Sequence, residues 1–362
     1  LEIQMKKIAV GLIALFLISS TALAQSNMTI YGAIDEAVVY SNNSGGGSVV
    51  QLLDSYHWNT VFGIRGAEDL GEGLKVVFDL ASYFNLSNGK LFRSDTFFSR
   101  SAWVGLSKAE YGTLTFGHHN DFSVLLLGNS PGFNSTFSQT PANADHMAGG
   151  YVNNSASYRS PTFGGLTFFA LYALPGGASD TYNRGRALSF ALSYADERFK
   201  AAIVGTKING VNFTPTLAGM KTFLGQTVSP YRSFAVDSQN IYGASASYKI
   251  AEKWTAGLSY TDVAFAGFGQ YESIRSATAD VIYDFQPDLK VTLGYGRSAL
   301  GSGRLSNYSL FVDKFLSKRT DIYVGASFVT SSGATQSAVL FPLAPSTTNR
   351  QFAVATGIRT FF

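Results

Sequence analysis

The chain has 362 residues, enough for one large barrel or two ordinary soluble domains. Only 14 % of them are charged, while Gly (37), Phe (29) and Tyr (19) are abundant; an ordinary soluble domain carries about 25 % charged residues. A formal net charge of +3 with no basic run argues against a nucleic-acid binder, and the absence of Cys excludes disulfide staples, thiolate metal sites and Cys nucleophiles.

In chain order, Leu1 to Gln4 precede a plausible start at Met5, and Lys6 and Lys7 form a short basic segment. Ile8 to Ile18 are apolar, and Ala22-Leu23-Ala24 has the small-x-small form of a cleavage site. Residues 5–24 therefore predict a secretory signal peptide, residues 1–4 lie upstream of it, and residues 25–362 predict one exported domain.

Beyond Ala24 no run approaches the ~18 apolar residues of a spanning helix. The pattern is instead period two. Leu74, Val76, Phe78 and Leu80 alternate with Lys75, Val77, Asp79 and Ala81; Trp254, Ala256, Leu258 and Tyr260 alternate with Thr255, Gly257, Ser259 and Thr261. Leu289 to Gly296 repeats this, and near the C-terminus Phe352, Val354 and Ile358 oppose Gln351, Gly357 and Arg359. A soluble sandwich alternates in the same way, so the connections decide. Short turns are predicted at Glu68–Gly73, Lys108–Gly112, Ser160–Gly165, Ala195–Arg198, Ile250–Lys253, Phe285–Asp288 and Ser317–Thr320. Between them lie mostly longer polar segments near 41–56, 86–93, 120–152, 175–184, 208–238, 264–271, 299–304 and 332–349. Strict alternation of short and long predicts an all-β fold, a transmembrane antiparallel β-barrel of about 16 strands with both ends on the short-turn, periplasmic side. Tyr172, Tyr194, Tyr248, Tyr260, Tyr283 and Tyr295, near predicted strand ends, read as aromatic girdles.

Several stretches, in order, resemble the general trimeric porins of β-proteobacterial and neisserial-type outer membranes. They are Met28 to Asp35, Gly63 to Lys75, Arg100 to Leu106 with Tyr111 to Gly117, Asn154 to Pro161, Leu316 to Thr320 with Tyr323, and Gly357 to Arg359 before the final Phe. The resemblance spans essentially the whole of residues 25–362. It implies a sixteen-stranded barrel, a homotrimer in contact with outer-membrane lipid and lipopolysaccharide, a third loop (here 120–152) folded into the lumen, and passive diffusion of ions and small hydrophilic solutes, with no cofactor. The chain departs from that pattern at three places where the family favours arginine: Val61, His118, and Tyr151 or Val152. Arg100 is retained. The arginine wall is thinned, and strong anion selectivity is not carried over with the fold.

Strand parity supplies the candidate pore-lining residues. Asp35 shares parity with Ala33; Arg65 opposes Phe62 and Ile64; Lys75 and Asp79 oppose Val76 and Phe78. Arg100 shares parity with Ala102 and is expected inward, opposite Ser101 and Trp103; His118 occupies a site favoured for arginine. Asp121 and Asp145 lie in the 120–152 loop, which has no Lys or Arg, so a basic wall would face a weakly acidic loop. That loop also carries Phe122, Val124, Leu125, Leu126, Leu127, Phe133 and Phe137, read either as packing against the wall or as a constriction for small aromatic acids in a substrate-specific channel. A barrel enzyme or adhesin is the third class. His118 and His119 point to opposite strand faces and cannot share a metal, adjacent Asp145 and His146 make a poor catalytic pair, and no phosphate loop opens a helix.

Overall fold

Hydrocarbon offers the backbone no hydrogen-bond partner, so a sheet that spans a membrane must have no free edge. The computed structural model describes residues 27–127, 151–176, 183–230, 232–333 and 337–362. Its first strand, β1 (Asn27–Ser44), closes the sheet from both sides. One edge pairs with β19 (Arg350–Phe361), from Ala33 opposite Phe361 to Ser41 opposite Ala353. The other edge is shared: Glu36 to Ser44 pair with β2 (Gly47–Asp54), and Asn27 to Ala33 pair with β3 (Val61–Gly71). From there each strand is antiparallel to the next through β4 (Leu74–Tyr83), β5 (Ser101–Lys108), β6 (Gly112–Asn120), β7 (Tyr151–Arg159), β8 (Leu166–Ala173), β9 (Ala187–Ala195) and β10 (Phe199–Phe213). The round is completed by β13 (Phe234–Ala251), β14 (Trp254–Gly267), β15 (Gln270–Gln286), β16 (Leu289–Leu300), β17 (Gly303–Phe315) and β18 (Thr320–Ser332). The two-residue strands β11 (Thr222–Phe223) and β12 (Gln226–Thr227) form a separate hairpin. Seventeen segments share the large sheet, but β2 and β3 together fill one position beside β1, so the barrel has sixteen positions.

Each strand sorts its side chains by parity. Val104, Leu106, Phe116, Phe190, Leu258, Leu293, Leu310 and Val324 are exposed on the outer surface, while their neighbours in sequence face inward and are small, polar or covered. No helix among the described residues is long and apolar enough to cross a membrane.

The connections depart from strict alternation. The 41–56 segment is mostly strand: a tight turn at Gly45–Gly46 leads directly into β2, whose Val49, Val50, Leu52 and Leu53 suit a pleated wall. The β14–β15 and β16–β17 hairpins turn at Phe268–Gly269 and Gly301–Ser302, so two predicted long loops are two-residue turns. At the opposite end, Asp196 of the β9–β10 turn accepts from the backbone N–H of Phe199 (2.7 Å) and Arg198 (2.8 Å), and these bonds hold its carboxyl below the usual carboxylate range.

Two connections fill part of the interior at the long-loop end. Between β10 and β13, Phe223 packs on Phe213 (5.0 Å) and Phe265 (5.3 Å), above the inward-facing Val263, Ile274 and Leu300. Before β19, Val339, Leu340 and Leu343 pack with Tyr56 of the 55–60 segment and with Phe311 and Tyr323 of β17 and β18. The two connections touch: Ser337 N–H donates to the Gly219 carbonyl at 2.6 Å. The mouth is therefore bridged by these loops.

The gap between β2 and β3, residues 55–60, turns inward, and Asp35 makes the gap possible. Its buried carboxylate accepts from the backbone N–H of His57 (2.8 Å) and Trp58 (2.5 Å) and from the Tyr323 hydroxyl (2.6 Å), while Thr60 Oγ1 accepts from Asp35 N–H (3.2 Å). Gly357, directly across from Tyr323, leaves room for that ring: a Cβ there would lie 2.4 Å from Tyr323 Cζ. Asp35→Ala strands two amides and a phenol and is expected to cost on the order of 3 kcal/mol, read as a lowered urea midpoint in detergent by tryptophan fluorescence. Asp35→Asn keeps one acceptor and is expected to lose less than half of that. Equal losses in the two variants would contradict this role.

Candidate functional site

Two charged residues that parity sends inward, Arg65 and Asp79, converge with Arg100 on one patch of wall. Arg65 on β3 and Asp79 on β4 are directly paired across the ladder, and Tyr31 on β1 sits beside them. The Arg65 guanidinium lies 4.9 Å over the Tyr31 ring. The Tyr31 hydroxyl donates to Asp79 Oδ1 at 2.6 Å and accepts from Arg100 Nη1 at 3.1 Å; Arg100 Nη1 stands 3.9 Å from Asp79. Tyr31 can lie across the wall because its partner is Gly63, where a Cβ would come within 2.5 Å of the ring. Tyr83, the last residue of β4, meets Tyr151 edge-on at 6.3 Å, and Arg93 stands 5.4 Å over the Tyr151 ring. Around Tyr31 this sets two guanidiniums, Arg65 and Arg100, against the single carboxylate of Asp79, and Arg93 adds a third guanidinium beside Tyr151. Fixed net positive charge on a low-dielectric wall concentrates anions and repels cations.

The remaining candidates fall elsewhere. Lys75 is exposed at the short-turn rim, paired in the ladder with Asp69. Asp35 does not line open pore: it is the buried anchor of the 55–60 segment. Arg100 reaches the lumen for a reason other than parity. In β5 the inward residues are Ser101, Trp103 and Gly105, while Val104 and Leu106 face out, so Ala102 is not inward; Arg100 belongs to the irregular segment before the strand. His118 keeps the register of Leu114 and Phe116, stacks on Tyr151 (5.8 Å) and contacts Asn153 Oδ1 (2.6 Å). The inward histidine is His119, which contacts Thr115 Oγ1 (2.8 Å) and Ser155 Oγ (2.7 Å) and stacks on Trp103 (6.0 Å). Gly117, at φ 143°, and a register shift against β7 mark a bulge here.

Asp121 is buried and accepts from Ser123 Oγ at 3.0 and 2.8 Å. It leads into α1 (Phe122–Leu127), the described start of the 120–152 connection. Phe122 N–H donates to the inward Ser189 Oγ at 3.3 Å, and Leu127 fills the space over inward Gly243, so α1 lies on the lumenal side of β9, β10 and β13. Phe122 and Leu127 are buried in that contact, as packing of the loop on the wall requires. Asp145, His146, Phe133 and Phe137 lie outside the described residues.

A second polar cluster sits under the 55–60 segment. His57 Nε2 lies 2.7 Å from Asp313 Oδ1, and His57, Asp313 and Asp321 offer ligand atoms within 4.8 Å of one another. Arg359 already supplies a cation there: its Nε and Nη2 donate to the two Asp321 oxygens at 3.0 and 3.1 Å, and Nη2 stands 3.8 Å from Asp313. The cluster ties β17, β18 and β19 to the segment that interrupts the second position of the barrel.

A closed sixteen-position barrel with an apolar exterior and an asymmetrically charged interior defines an outer-membrane channel of the porin class. Residues 10–334 match the Gram-negative porin family, and the chain belongs to that family. It is 24 % identical over 379 aligned positions to an outer membrane porin protein of Bordetella pertussis, covering 90 % of this chain and 94 % of that one. It is 32 % identical over 174 positions to outer membrane porin protein 32 of Delftia acidovorans, covering 45 % and 48 % of the two chains. The solved anion-selective porin from Comamonas acidovorans superposes with a TM-score of 0.75 at 21 % identity, over 93 % of this chain and all of that one. The protein is thus an outer-membrane porin.

Replacing Arg65 and Arg100 together by Gln is expected to lower the anion-to-cation permeability ratio at least about twofold, and Asp79→Asn to raise it. Lys75→Gln, at the rim, is expected to change it least. The zero-current potential across a salt-gradient bilayer measures all three.

Proposed function

We propose that the chain is a water-filled channel for passive diffusion of ions and small hydrophilic solutes, with a modest preference for anions. The observation that carries this reading is the Arg65–Tyr31–Asp79–Arg100 constellation, which leaves excess positive charge on one lumen wall. The anion-selective porin from Comamonas acidovorans shares the fold and lends support. The preference is modest because Val61 and outward-register His118 stand where the family favours arginine, and Asp79 offsets one guanidinium. Assembly as a homotrimer follows the family; a fold neighbour, OmpT of Vibrio cholerae, is described in a trimer form. The position of α1 supports an inward course for the third loop, and residues 5–24 serve export.

A narrower reading has one observation in its favour. The rings of Tyr31 and Tyr151 are each covered by a guanidinium, Arg65 and Arg93, and stacked faces of this kind suit flat anions such as small aromatic carboxylates.

Liposome swelling separates these readings. Among solutes matched in size, a diffusion channel is expected to admit neutral and anionic solutes faster than cationic ones, with aliphatic and aromatic acids ranked by size. Saturable uptake of aromatic acids alone would replace it with the narrower reading. Swelling no faster than in protein-free liposomes would remove both.

A further inference from the structure

The outer surface carries a cationic cluster that a channel does not need. On β15, β16 and β17 the outward residues Arg275, Ala299 and Arg304 share one rung: Arg275 is opposite Ala299, and Ala299 is opposite Arg304. Arg297 faces outward two residues below Ala299 on the middle strand, opposite Ala277 and Ser306. Arg275 and Arg304 are separated by two strand spacings, about 10 Å, so the three arginines form a triangle around Ala299, whose small side chain leaves its floor open.

The cluster is accessible and partly preset. Arg275 keeps 63 % of its side chain exposed while its Nε donates to Asp262 at 3.1 Å. Arg304 Nη1 donates to the carbonyls of Gly301 (2.6 Å) and Gly303 (2.7 Å), which fixes its guanidinium at the hairpin tip. Arg297 is exposed and makes no ion pair with a described residue. The balance is three guanidiniums against one carboxylate.

Depth identifies the ligand. Next below Arg297 on the outer face comes Tyr295, whose ring lies 5.1 Å from that of Tyr308, with Phe328 beyond at 6.3 Å. Tyr260 on β14 likewise lies just below Asp262. Aromatic belts mark the boundary between hydrocarbon and headgroups, and long loops mark the external side of such barrels. The arginines therefore stand at headgroup level in the external leaflet. Guanidinium binds phosphate oxygens through paired N–H donors, more strongly than it binds water.

We propose that Arg275, Arg297 and Arg304 form a cradle for the phosphate monoester of a phosphorylated glycolipid headgroup in the external leaflet. The test uses the intact refolded protein and native mass spectrometry with bis-phosphorylated lipid A. Wild-type protein is expected to retain the lipid, and the combined Arg275→Gln, Arg297→Gln, Arg304→Gln variant to bind it at least about tenfold more weakly. Fully dephosphorylated lipid A is expected to bind both proteins equally and weakly. Arg297→Gln alone, which breaks no ion pair with a described residue, is expected to show a smaller loss at unchanged single-channel conductance, which keeps the test valid if the triple variant misfolds. Equal lipid retention by wild type and variants overturns the proposal. Tight retention of the dephosphorylated lipid also overturns it, and displacement of lipid by micromolar inorganic phosphate assigns the cradle to free phosphate instead.

Discussion

Every feature of this molecule answers to one constraint: in hydrocarbon, each backbone N–H and C=O needs a partner within the chain. β1 meets it by pairing with β19 on one side and with β2 and β3 on the other. A closed ladder with one interruption is stable only if the interruption is satisfied from elsewhere. Asp35 does this by accepting the His57 and Trp58 amides, and Tyr323 locks the carboxylate from across the β1–β19 seam. The same carboxylate thus supports both closure of the sheet and the inward course of residues 55–60.

The interior follows from closure. With apolar residues committed to lipid, polar and charged side chains of opposite parity are confined to a lumen whose walls are low in dielectric, and there a small charge imbalance has a large effect. The imbalance is local. Arg65 and Arg100 flank Asp79 on the β1–β4 side, whereas the wall around β14–β16 presents hydroxyl pairs such as Ser276–Ser298 and Ser259–Thr278. On the proposed reading, this imbalance would set a transverse field across the lumen. The Ser337–Gly219 contact joins two loops over the mouth, so access to that field is shaped by more than the third loop.

Much of this was legible in the sequence, for reasons that also set the limits. Period-two alternation and turn chemistry are local, so the barrel, its strand number and the inward setting of Arg65 and Asp79 could be read from a few residues each. Asp35 looks the same as a pore-lining acid in that reading; its true partners are 22 and 288 residues away, and no short pattern reveals them. Arg100 reaches the lumen from an irregular segment to which parity does not apply, and in β5 the large Trp103, not the small Ala102, is the inward residue. At His118 and His119 a bulge beside Gly117 decides, and a bulge is one residue that alternation does not count. Tyr31, by contrast, shares parity with Asp35 and could have been named. Two supposed loops, 264–271 and 299–304, contain Gly at the turn and residues compatible with strands on either side, so composition alone left them too long.

The most direct measurement is single-channel recording of the refolded protein in a planar bilayer, under a salt gradient. The structure predicts ohmic, stepwise conductance with a zero-current potential displaced moderately toward the anion equilibrium value. Folded, inserted protein that gives no steps would mean that the interior loops seal the lumen, and a potential on the cation side would mean that Arg65 and Arg100 do not set the field.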